Sequence, residues 1–224
     1  MSFKFLNDAQ RRRALLPFLN AANLFDGACV VVVVHKDLKR MSTSPSSVEI
    51  WKSIRGLKGN WRPSAFEAMA RVAHFFSLLV AEFSRPHQHV TWITDEDDIV
   101  ANDDRLTDIM DLAASMAGLY ADHPLGEFAM NSTQVDEEER YFEDFVAIPD
   151  LVAGAFAEVV NVWSRDPRWY EGGDLFLMPD KLTRKANIVS TWFCDASPAL
   201  KRAVVLVDRH DDKRFLVEHM DIVK

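Results

Sequence analysis

Four consecutive acids, Asp95, Glu96, Asp97 and Asp98, follow the short apolar segment "HVTWIT" of residues 89–94. Crowded carboxylates resist joint ionisation unless a cation compensates them, so such a cluster can hold a divalent metal. It can equally be the solvated end of a strand, where acid runs ordinarily sit. A second acidic feature lies in "IPDLVAGAFAEVV", residues 148–160, where Asp150, Gly154 and Glu158, with Asn161 beyond them, recur at spacings of four, four and three. On a helix these positions form one strip of small and acidic groups along an otherwise apolar surface. His87 and His89 form a His-x-His pair with no third ligand nearby in sequence, which reads as loop rather than metal site. No serine or histidine stands in a nucleophile-elbow context.

Charge is unevenly distributed. Between residues 36 and 62 the bases Lys36, Lys39, Arg40, Lys52, Arg55, Lys58 and Arg62 face only Asp37 and Glu49. Such a loop can meet phosphates, and Trp51 and Trp61 within it can either stack on bases or pin the loop to a core. The chain as a whole carries a formal net charge of −8, which argues against nonspecific coating of nucleic acid. Cys29 and Cys194 have neither ligand nor redox spacing and read as buried thiols. The longest apolar run, "ACVVVVV", falls far short of the roughly 20 residues that cross a bilayer, and no charged-then-apolar leader precedes it. The expectation is a cytoplasmic protein with no membrane partner.

These groups must be positioned by alternating helices and strands. Asn7 and Gln10 have capping-box spacing, and Leu15, Phe18, Leu19 and Ala22 continue as one stripe, so residues 8–23 read as a helix kinked or interrupted at Pro17. The valine run 28–35 reads as a central strand covered on both faces. Residues 41–60 are loop-like, and Pro63 opens a helix to about residue 84. Then come the strand "HVTWIT", a helix near 104–121 opened by Asn102 or Asp103, and a polar, acidic connection. Pro149 fits the first turn of the next helix, which would place Asp150 where the helix dipole favours an acid. A helix near 181–193 and a terminal hairpin around "RHDDK" complete the chain. "WFCDAS" around Asp195 has the look of a strand-plus-acid start, but Lys185, Ile188 and Trp192 at helical spacing favour a helix. The expected fold class is α/β, with a mixed sheet flanked by helices.

Three segments carry a resemblance. "FKFLNDAQRRRALLPFLNAAN" with "CVVVVVHKDL", then "VTWITDEDD", then "IPDLVAGAFAEVV" resemble, in order and spacing, the bacterial domain-of-unknown-function family number 3800, whose members look like relatives of the ribonuclease H fold. The likeness covers most of residues 3–163, and 181–222 resembles an extension found in some members. Members open with a strand ending Asp-Glu-Ser-Gly that begins a three-stranded meander; this chain has no such tetrapeptide, and Ser2 and Phe3 stand where an acid often precedes the lysine. The resemblance implies an RNase H-like domain over 1–164, incomplete at its N-terminus, with 165–224 as an extension packed on it.

It further implies Mg²⁺ or Mn²⁺ chemistry on phosphodiesters, in which strand and helix carboxylates converge on the metal. Asp95 and Asp150 would be the catalytic ligands, with Glu96 in reserve beside Asp97 and Asp98, and Lys36, Lys52, Arg55 and Lys58 would hold the nucleic acid. The missing first acid motivates the alternative, a catalytically inactive interaction or scaffold protein of the same fold. A valine strand without its meander also leaves an edge that the terminal hairpin, a partner chain or a second copy should cover.

Overall fold

The computed structural model describes residues 1–34, 49, 53, 56–94, 102–132, 141–163, 165, 181–195, 199–209 and 215–221. Among the described residues a 3₁₀ turn, Phe3–Phe5, precedes ten longer elements. They are α1 (Ala9–Ala22), β1 (Gly27–Val34), α2 (Pro63–Phe83), β2 (Val90–Thr94), α3 (Asp103–Tyr120), β3 (Phe128–Ser132), α4 (Tyr141–Trp163), α5 (Arg184–Cys194), β4 (Leu200–Arg209) and β5 (Phe215–Asp221). The chain is α/β, and it divides into two compact units: Met1–Lys36 with Glu143–Lys224, and Asp37–Phe142. Segments on both sides of residue 164 therefore belong to the first unit.

In the first unit β4 lies between β1 and β5, parallel to β1 and antiparallel to β5. The expected terminal hairpin is present, and it covers one edge of the valine strand by pairing Val30 with Ala203 and Val34 with Val207. The expectation that β1 is central is corrected: among the described residues its only neighbour is β4. Five successive valines do not bring β1 full burial either, since only Val31 is buried while its neighbours remain half-exposed. β4 has strand neighbours on both sides, and Ala203, Val204, Leu206 and Val207 in it are all buried. Apolar composition marks both strands, whereas position in the sheet decides how much of each is covered.

Leu15, Leu19 and Ala22 of α1 meet Leu151, Val152, Ala155 and Phe156 of α4 and Val189 and Phe193 of α5 in one core. Phe156 and Phe193 pack edge to face at 4.9 Å. Pro17 and Pro149 both lie inside helices rather than at their ends. A helical proline frees the carbonyl four residues earlier; here those are Arg13 and Phe145, both at exposed positions where water can take the bond. The cap of α1 is Asp8, one residue beyond the expected Asn7, and its Oδ1 accepts the amides of Gln10 and Arg11 at 2.9 and 3.0 Å.

The second unit has its own core, made by Phe66, Met69 and Ala73 of α2, Ile109, Leu112 and Ala113 of α3, Trp92 and Met130. Pro63 begins α2 and the Asn102 side chain caps α3, as their sequences dictate. β3 corrects the reading of residues 128–132 as mere connection. Five residues too mixed for a strand pattern become one because they pair in parallel with β2, with Met130 opposite Trp92. Among the described residues, β1, β4 and β5 pair in the first unit and β2 pairs with β3 in the second. Phe76 stacks on Trp92 at 4.1 Å and meets Phe128 at 5.8 Å, tying α2 to this small sheet. By length and composition Pro63–Phe83 and Glu143–Trp163 could each cross a membrane; each also supplies several of the buried residues of its own unit's core.

Candidate functional site

The strip on α4 has an evident local purpose. Asp150 sits in the third turn of α4, not at its start, because the helix already runs from Tyr141. Its Oδ2 accepts the backbone amide of Phe3 at 2.8 Å. Lys185 of α5 closes the other side of the same residue, donating from Nζ to the Phe3 carbonyl at 3.2 Å and lying 4.2 Å from the centre of its ring. Gly154 makes room for that ring: a Cβ there would lie 2.4 Å from Phe3 Cγ and Cδ1. No residue but glycine fits unless the N-terminal turn moves.

One turn further, Glu158 Oε2 accepts the Thr183 hydroxyl at 2.7 Å and its amide at 3.3 Å. Thr183 is in turn the N-cap of α5. Asn161 Oδ1 accepts from Arg165 Nη2 at 3.4 Å. The alternation of small and acidic residues on α4 is therefore a docking strip for the N-terminal turn and for the start of α5.

Of the residues assigned to metal and nucleic acid, Asp95, Glu96, Lys36, Lys52 and Arg55 lie outside the described residues, as do Asp97, Asp98 and Trp51. Asp150 is described, and it anchors the N-terminal turn. One carboxylate oxygen is committed to a backbone amide, and the Lys185 ammonium already occupies the far side of the same bound residue. Among the described residues no group of three or more His, Cys, Asp or Glu side chains is placed to hold a metal.

Lys58 has an exposed side chain and a backbone amide bound to Asp108 Oδ1 at 2.8 Å. Asp108 also takes the Gly59 amide at 2.8 Å and Trp61 Nε1 at 2.7 Å. Trp61 is thereby pinned in the core at 4% exposure, with Arg105 over its ring at 4.8 Å, and its face is not open to a base. Sequence reasoning passed over Asp108. The available signal was an acid set beside Ile109 and Leu112 on the apolar side of a helix, which requires partners when buried. His89 also has a structural partner, since its Nδ1 accepts the Glu127 amide at 3.1 Å just before β3.

A third polar cluster was not anticipated. Arg202 stands opposite Cys29 in the β1–β4 register and is only 3% exposed. Its Nη2 donates to Asn23 Oδ1, which also accepts Trp192 Nε1 at 2.9 Å, and its guanidinium lies 4.4 Å from the Trp192 ring centre. Nε and Nη1 have no hydrogen-bond partner among the described residues. Burial lowers the pKa of Arg202, opposed by Cys29, Asp195 and Cys194. Burial pushes both thiols up to about 11, with Arg202 as a smaller opposing influence. Asn23 and Asp195 are the C-caps of α1 and α5. The guanidinium therefore lies where the negative ends of two helix dipoles favour a cation, and it clasps the two helix ends together.

No family model matches the chain, and no curated protein or solved structure matches it either.

Proposed function

We propose that this chain is a catalytically inactive interaction protein derived from an RNase H-like fold. The observation that carries the reading is the engagement of Asp150 with the Phe3 amide from the middle of α4. The other acids described in detail are likewise occupied: Asp108 by three donors, Glu158 by Thr183, and Glu67 by Arg71 at 2.6 Å. Carboxylates committed in this way hold segments together instead of waiting for a metal. The RNase H-like derivation rests on the order of helix, valine strand, strand leading into Asp95 and helix bearing Asp150. Cytoplasmic placement belongs to the same reading, supported by two cysteines in no disulfide or ligand spacing. So does a partner chain or second copy along the side of β1 that pairs with no strand among the described residues.

The competing reading is a Mg²⁺- or Mn²⁺-dependent nuclease using Asp95 and Asp150, with Lys36, Lys52, Arg55 and Lys58 on the nucleic acid. A cleavage assay on single- and double-stranded DNA and RNA with either metal separates the two. The interaction reading expects no cleavage and no thermal shift on adding Mn²⁺. Metal-dependent cleavage abolished by an Asp95→Asn, Asp150→Asn double variant would overturn it.

A further inference from the structure

Two loops of the second unit meet at one imidazole. The loop after α2 and the loop after α3 are stitched by backbone bonds: the His87 amide donates to the Pro124 carbonyl at 2.8 Å, the Gly126 amide to Gln88 at 2.9 Å and the Val90 amide to Glu127 at 2.8 Å. The fit is close, since His87 holds a left-handed φ of 61° and a Cβ on Gly126 would lie 2.8 Å from the His87 carbonyl oxygen. His123, half-buried, bridges the two loops. Its Nε2 lies 3.1 Å from the Ser84 carbonyl oxygen and its Nδ1 3.4 Å from that of Pro124.

Both partners can only accept. A neutral imidazole carries one N–H, so in either tautomer one ring nitrogen turns its lone pair on a carbonyl oxygen, whereas the imidazolium donates to both. The helix ends favour the same form. Ser84 is the C-cap of α2, and His123 follows two residues after Ala121, the C-cap of α3; the dipole favours a cation at such ends. Within residues 82–89 and 120–127 the acids Glu82, Asp122 and Glu127 stand against one permanent cation, Arg85, with His87 and His89 titrating in the same range. His89 works in the opposite direction. Its Nδ1 accepts the Glu127 amide, a bond that a proton there would end, although Glu127 Oε2 at 3.7 Å would then face the charge. Between α2 and α3, His74 Nδ1 lies 2.9 Å from the Tyr120 hydroxyl.

We propose that His123 is a pH-operated fastener of the second unit, joining the end of α2 to the loop after α3 as an imidazolium and releasing one of the two carbonyls when it loses its proton. The folded chain holds two acceptors against the ring and the unfolded chain holds none in place, so the native state takes the proton more readily. The stabilisation is therefore present on the acid side of the titration and is lost as pH rises through it.

The test follows the imidazole nitrogens of the full chain by ¹⁵N NMR between about pH 5.5 and 7.5, beside native-state hydrogen exchange. At about pH 7, where His123 of the urea-unfolded chain is mostly neutral, both of its ring nitrogens in the native chain should still carry protons. Over that range the protection of α2 and α3 should fall about tenfold more in the wild type than in His123→Gln, which keeps one amide donor and does not titrate. His89→Gln should leave that difference in place, which separates His123 from its neighbour. Loss of the His123 proton at the same pH in the native and urea-unfolded chains overturns the proposal, as does an equal pH dependence of protection in the wild type and His123→Gln. Should His123→Gln fail to fold, the nitrogen titration of the wild type against its unfolded chain decides alone.

Discussion

Asp150 separates a structural carboxylate from a ligand most sharply. As the acceptor for the Phe3 amide it needs an oxygen, not a charge. Asp150→Asn keeps that oxygen and should lower stability by under about 1 kcal/mol, whereas Asp150→Ala leaves the amide without its acceptor and should cost about 1–3 kcal/mol. Denaturant midpoints of the two variants check this, and equal losses would show that the charge matters instead. The thiols give a pH prediction. Both have folded-state pKa values raised to about 11 from an ordinary 9.0, so the stabilisation from keeping them protonated is complete below pH 9 and is lost as pH rises through 11. Thiolate absorbance should therefore stay near zero at pH 9 in the native chain and appear by about pH 11, while the unfolded chain titrates near its ordinary value. The cause is burial, because Arg202 opposes the shift without cancelling it.

Among the elements, α4 departs furthest from its sequence pattern. "FVAIPDL" suggests a helix opening at Pro149, yet the helix begins at Tyr141 and passes through the proline. The proline rule is local, and the apolar face of α4 overrides it. Ala147, Ile148, Leu151 and Val152 are buried on both sides of Pro149, so core packing continues across the break. Restoring the missing amide should help: Pro149→Ala at this exposed position should raise stability by about 1–3 kcal/mol, read as a higher melting temperature. The same contest of local and tertiary forces explains β3, whose residues show little strand pattern and which forms through its pairing with β2.

At the scale of the molecule, the described residues of the first unit hold a large core and a smaller cluster of Val159, Trp163 and Leu206, and those of the second unit hold one core. Each unit also has a polar anchor of its own, Asp150 with Lys185 in the first and Asp108 in the second. Damage to an anchor should open its own unit first. Asp108→Ala leaves two backbone amides and an indole nitrogen without partners, a cost of about 3 kcal/mol or more. Gly154→Ala forces the Phe3 ring out of place, a cost of about 1–3 kcal/mol. Native-state hydrogen exchange should show faster exchange in α2 and α3 for the first variant and in α1, α4 and α5 for the second. Uniform loss of protection in either would mean that the units open together.

Much of the fold was legible from periodicity and caps. Pro63 opening α2, Asn102 capping α3, the valine strand and the terminal hairpin all follow from short-range rules of backbone and side-chain preference. The α4 strip was legible as a strip, though not as a dock. Whether a row of Asp, Gly and Glu receives a metal or another part of the chain depends on what arrives there, and Phe3 and Lys185 come from opposite ends of the sequence. Asp108, Arg202 and the order of strands in each sheet were decided in the same way, by partners distant along the chain. Local sequence sets which elements form and which faces are apolar, since those energies act within a few residues. Only tertiary structure assigns partners to buried charge, because the cost of burying it is met by donors that no local pattern contains.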